Sequence, residues 1–142
     1  MAQTRRRVLV LDDNEMFRFV LCNVFEARGY EVLAFAQPRV CPLSSAQACP
    51  CPKFNTCVDL IVSDLNMLGI NGLDFVQELL AKGCRVRNIA LISGTFSEED
   101  LARASQLSCA AFSKPLNMAA FLSWVDGVER SIPSEPHLFD WT

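Results

Sequence analysis

The sequence predicts a single-domain α/β fold: a doubly wound, five-stranded parallel sheet in the order 2-1-3-4-5. Three observations carry this. Short apolar runs alternate with segments of helical period, two of the runs end in aspartate, and a serine and a lysine stand where later runs end. Strands alternating with helices imply a parallel sheet covered on both faces. Such a sheet binds ligands beyond the C-terminal strand ends, where the strand order reverses.

The first strand is read from Arg7 to Asp12, apolar until it meets acid. Phe17, Val20, Leu21, Val24 and Phe25 then recur at helical spacing, a stripe expected to pack in the core, with Asp13 or Asn14 as cap and Gly29 as stop. Glu31 to Phe35 is the second strand, and Asp59 to Asp64, again ending in aspartate, the third. Residues 37–57 are rich in Pro, Cys, Ser and Ala and carry no helical stripe, so this segment is expected to replace much of the second crossover helix. After Gly69 and Gly72, the residues Leu73, Val76, Leu79 and Leu80 mark a helix. Ile89 to Ile92 is strand four, and Ser97 with Asp100 resembles a capping box for a helix through Ala104. Ala110 to Phe112 is strand five. Pro115 is expected to open the last helix, whose stripe is Met118, Phe121, Leu122 and Val125. Residues 1–130 are thus read as the domain and 131–142, with Pro133, Pro136 and the single histidine His137, as a tail.

A chain of 142 residues suits one domain and leaves no room for a second effector domain within it. A net charge of −3 argues against an electrostatic grip on nucleic acid. Arg5, Arg6 and Arg7 precede only four apolar residues, too few for a signal peptide or membrane span, so a cytoplasmic location is expected.

The topology would gather Asp12, Asp13, Asp64, Ser93 and Lys114 at one rim. Three carboxylates about 5 Å apart would repel by about 3 kcal/mol per pair at an effective dielectric near 20, so a cation must hold them. Hard oxygen donors that leave room for water suit Mg²⁺. A carboxylate beside Mg²⁺ and a lysine can attack phosphorus and form an aspartyl phosphate. The Ser93 hydroxyl would stand within reach of a phosphoryl oxygen.

Asp12-Asp13, the stretch from Asp64 to Gly72, Ser93-Gly94 and Lys114-Pro115 resemble, in order and spacing, the signature of the response regulator receiver domain of two-component signalling, a CheY-like, flavodoxin-like fold. The resemblance spans residues 7 to 130. It implies that Asp64 is the phospho-acceptor, Asp13 a direct Mg²⁺ ligand, Asp12 a water-mediated one and the Asn66 main-chain carbonyl a third. It further implies self-catalysed phosphotransfer and dephosphorylation at Asp64 without separate substrate turnover. The implied donor is a sensor histidine kinase or phosphotransfer protein, and the output is a protein–protein contact with a downstream target or in a homodimer. Three departures stand out. Leu68 replaces the family's proline, Ala111 replaces the aromatic often used as a switch, with Phe112 pointing the other way, and the cysteine-rich segment fits no receiver pattern.

Of seven cysteines, Cys41, Cys49, Cys51 and Cys57 crowd together, whereas Cys22, Cys84 and Cys109 read as small core residues. Four thiolates in a loop can close a Zn²⁺ site or hold an iron-sulfur cluster, although the C-x7-C-x-C-x5-C spacing is not that of a standard finger. The alternative function is therefore a metal- or redox-sensing module on a receiver scaffold. A hydrolase of the haloacid dehalogenase type also begins with a strand ending in aspartate. It wants a second aspartate two positions on, where Asn14 stands.

Overall fold

The computed structural model describes residues 6–37, 57–67 and 69–132. Its elements run β1 (Arg7–Leu11), α1 (Glu15–Ala27), β2 (Glu31–Phe35), β3 (Leu60–Asp64), α2 (Gly72–Ala81), β4 (Asn88–Ser93), α3 (Glu98–Gln106), β5 (Ala110–Ser113) and α4 (Met118–Ser131). The strands form one parallel sheet in the order β2-β1-β3-β4-β5, as the sequence predicts. The cysteine-rich segment from residue 38 to 56, Leu68, and the tail beyond residue 132 with His137 and Trp141 lie outside the described residues.

Alternation along the strands divides the core in two. Val8, Val10, Leu60, Val62, Ala90 and Ile92 face α1 and α4, where they meet Leu21, Phe25, Phe121, Val125 and Val128. Leu9, Leu11, Ile61, Ile89 and Leu91 face α2 and α3, where they meet Leu73, Val76, Leu79 and Ala104. Strands buried on both faces are largely apolar, which is why β1 from Val8 to Leu11 and β3 from Leu60 to Val62 read as hydrophobic runs. Trp124 packs on Phe112 and Phe121 in the first of these cores. Cys84 is buried in the second core and Cys109 packs against it, while Cys22 is half-buried on α1.

Helix ends follow from local chemistry. Asn14 caps α1 through Oδ1, which accepts from the Phe17 N–H at 2.9 Å, and Gly29 takes the left-handed φ of +86° just beyond the helix. Ser97 and Asp100 form the reciprocal capping box of α3.

Two expectations are corrected. Pro115 does not open α4: it follows a cis Lys114–Pro115 bond, and Asn117 caps the helix by accepting from the Ala120 N–H at 3.1 Å. A side-chain cap satisfies an orphan N–H, which proline at the first position only tolerates. Val20 is not core but 42% exposed, because it lies at the margin of the α1 stripe, whose centre is Leu21 and Phe25.

Candidate functional site

β1 and β3 are neighbours and end at the same level, Leu11 standing opposite Ser63, so the residues that follow or end them share the C-terminal rim. Asp12 directly follows β1 and is 1% exposed, Asp64 ends β3 at 7%, and Asp13 is exposed. One carboxylate oxygen from each lies within 4.8 Å of the others, and among the described residues this is the group of acids or thiols so arranged. Lys114, just past β5, places Nζ 3.4 Å from Asp12 Oδ2 and 3.5 Å from Asp64 Oδ2.

The surrounding turns fix each acid. The Asn14 N–H donates to Asp12 Oδ1 at 2.8 Å, and Arg18 Nη1 donates to the Asp12 carbonyl at 2.7 Å. The N–H of Gly72 donates to the Leu65 carbonyl at 2.7 Å, bringing the first turn of α2 onto the backbone that carries Asp64. Burial holds the Asp64 carboxyl above its ordinary value. The charge of Asp12 adds to this, while Lys114 and the Asn66 N–H oppose it and Asp13 adds a little more.

These residues supply hard oxygen donors, one of them open to solvent, and three negative charges facing one ammonium. That donor set fits a divalent cation of the Mg²⁺ type, which binds carboxylates while keeping several waters.

Ser93 ends β4 at the same rim but is 1% exposed, and its hydroxyl is engaged within the protein. It donates to the Thr95 carbonyl at 3.2 Å and accepts from the Thr95 N–H at 3.1 Å and from Asn66 Nδ2 at 3.3 Å. The Asn66 side chain, which sequence reading left without a task, thus ties the loop after β3 to the end of β4. Ala111 is exposed on β5 and Phe112 points into the core, as expected.

Sequence reading assigned Phe17 to the core, yet its half-buried ring also lies under Lys114 Nζ, 4.8 Å from the centroid. A helical stripe gives no sign of such a contact. Arg18 and Thr95 were likewise missed as supports: Arg18 bonds a main-chain carbonyl and Thr95 engages Ser93 through its own main chain, so neither contact leaves a pattern in the sequence.

Cys41, Cys49 and Cys51 lie outside the described residues. Cys57 is fully buried in the core on the α2 and α3 face, before β3 begins and so at the opposite end of the strands from the aspartates. Among the described residues, no helix is long and apolar enough to cross a membrane.

The family model for the response regulator receiver domain matches residues 8–126. The chain is 30% identical over 120 residues to the sensory/regulatory protein RpfC of Xanthomonas campestris pv. campestris, covering 82% of this chain and 15% of the relative. It is 32% identical over 134 residues to the transcriptional regulatory protein AruR of Pseudomonas aeruginosa, covering 89% and 50% respectively. The chain thus spans half or less of the length of these curated relatives. Among solved structures, a response regulator receiver protein from Pseudomonas putida superposes with a TM-score of 0.72 at 23% identity, covering 89% of this chain and 99% of that one. The chemotaxis protein CheY4 of Vibrio cholerae gives 0.69 at 24%, with 88% and 99% covered, and like the first it speaks to the fold alone. With the family profile running from β1 into α4, over most of its length, the chain belongs to the response regulator receiver domain family of two-component signalling.

Proposed function

We propose that this chain is a phosphorylation-driven receiver whose acceptor is Asp64, charged from a phosphohistidine of a sensor kinase or phosphotransfer protein. The observation that carries the reading is the meeting of Asp12, Asp13 and Asp64 within 4.8 Å, with the Lys114 ammonium between two of them. An ionised Asp64 oxygen attacks phosphorus. As the new P–O bond forms, the P–N bond of the donor breaks and its electron pair leaves with the imidazole. Lys114 faces the phosphoryl oxygens and offsets charge as it moves onto them.

Asp13 would hold Mg²⁺ directly, Asp12 through water, and the Asn66 main-chain carbonyl would complete the protein's share. When bound, the ion supplies Lewis-acid neutralisation of the phosphoryl oxygens. Its charge also favours the ionised Asp64 that burial and Asp12 disfavour. Ser93 responds to the product: to donate to a phosphoryl oxygen its hydroxyl must leave the Thr95 carbonyl, which loosens the loop after β4. The output is a protein contact, and the whole cycle takes place in the cytoplasm. The relatives RpfC, a sensory/regulatory protein, and AruR, a transcriptional regulatory protein, support a regulatory role.

Intact mass after incubation with acetyl phosphate and Mg²⁺ tests the reading. Wild type gains one phosphoryl increment, and Asp64→Asn, or wild type with chelator, gains none. An unmodified wild type, or one modified equally in Asp64→Asn, refutes it.

A further inference from the structure

We propose that the ring of Phe17 is a positioning element that confines the Lys114 ammonium against the two buried carboxylates. The contact itself stands on geometry; its kinetic consequence rests on the phosphoryl-transfer reading above.

Lys114 Nζ carries three donors on a flexible four-carbon stem. Its distances to Asp12 and Asp64, 3.4 and 3.5 Å, exceed the ~2.7–2.9 Å of tight charge-assisted bonds. The two acids alone therefore leave the ammonium room to swing outward. The face of Phe17, 4.8 Å from Nζ to the ring centroid, bounds the third side within the range where a ring quadrupole attracts a cation.

The ring is itself held. The Phe17 main-chain N–H donates to Asn14 Oδ1 at 2.9 Å, the Asn14 N–H donates to Asp12 Oδ1 at 2.8 Å, and the neighbouring Arg18 Nη1 donates to the Asp12 carbonyl at 2.7 Å. Phe17 also packs on the core between the sheet and α1. The β1–α1 turn thus carries Asp12, which attracts the ammonium, and the first turn of α1 carries the ring that retains it, and the bonds through Asn14 and Arg18 join the two into one local unit. A pre-placed ammonium spares the ordering of a lysine side chain during phosphoryl transfer.

The test uses the full chain and three forms: wild type, Phe17→Tyr, which keeps the aromatic face, and Phe17→Leu, which keeps an apolar side chain without it. A ring over the ammonium shifts the Lys114 Cε protons upfield in the NMR spectrum. The shift is expected in wild type and Phe17→Tyr and lost in Phe17→Leu. The rate of phosphorylation by acetyl phosphate with Mg²⁺ should fall about 2- to 5-fold in Phe17→Leu and return toward wild type in Phe17→Tyr. Ordinary lysine shifts in the wild type would overturn the proposal without needing any variant, as would equal slowing in both variants or no slowing in Phe17→Leu. A wild type that takes no phosphoryl group would instead sink the function proposed above, and the Lys114 shift would still decide whether the ring holds the ammonium.

Discussion

A β-carbon built on Gly72 stands 2.5 Å from the carbonyl oxygen of Asp64, closer than any side chain tolerates. The first residue of α2 therefore touches the main chain of Asp64, and the bond from the Gly72 N–H to the Leu65 carbonyl, 2.7 Å, holds the two segments together. Only glycine lets the helix start so near the end of β3.

Gly72→Ala should thus cost about 1–3 kcal/mol, the range for forcing an extra carbon into a packed site. Urea unfolding measures this. Because the clash is with backbone, the variant should also shift the amide resonances of Asp64 and Leu65, and an unchanged midpoint would show that the helix can simply retreat.

In metal-free protein, Asp64 lowers stability at neutral pH. Its folded proton affinity is raised by burial and by Asp12, so folding disfavours the ionised form. The penalty is absent below the ordinary carboxylate range, near pH 4, and is fully developed once pH has passed the raised folded value. Asp64→Asn should therefore melt at a higher temperature than wild type in chelator at pH 7, and the gain should vanish on acidification. A gain that persists at low pH would point to a cause other than charge.

Magnesium should stabilise the wild type by mass action, about 2.7 kcal/mol at a hundredfold excess over its dissociation constant. Asp13 is the exposed member of the acid cluster, and Asp13→Asn removes a donor without opening a cavity. That variant should show little thermal shift with Mg²⁺ and should keep the pH effect ascribed to Asp64, whose main causes, burial and Asp12, it leaves in place. An equal shift in both proteins would remove Asp13 from the ion's coordination.

Far from this rim, Arg28 joins the turn after α1 to α4. Its Nε and Nη2 donate to the two Glu129 oxygens at 2.9 and 3.0 Å, Asp126 accepts from the same guanidinium, and the Tyr30 hydroxyl donates to Glu129 Oε1 at 3.1 Å. The paired Arg28 and Tyr30 hold the Glu129 carboxyl below its ordinary value against the opposing effect of its partial burial. Arg28→Ala should cost about 1 kcal/mol, since the network is partly solvated, and less in high salt. Thermal melts at two ionic strengths measure both.

Much of the fold was legible in the chain because strands and helices declare themselves over a few residues. The apolar runs of β1 and β3, the stripe around Leu21 and Phe25, and the Ser97 and Asp100 pair are local patterns, and each reappears in place. Where two local signals competed, reading failed: proline and asparagine both mark helix starts, and the N–H geometry chose Asn117. Val20 failed for a related reason, since a stripe has margins whose burial depends on what packs beside them.

The linear order of residues determined that acids would close the first and third strands and that a lysine would follow the fifth, which is enough to name the candidate site. Only the folded arrangement decided that Asp12 is buried and Asp13 open, that the Ser93 hydroxyl is bound to Thr95, and that the Phe17 ring lies under Lys114. Periodicity is set by backbone geometry within one element. Burial and side-chain contact arise where elements distant in sequence pack together, and no short window of sequence contains both partners.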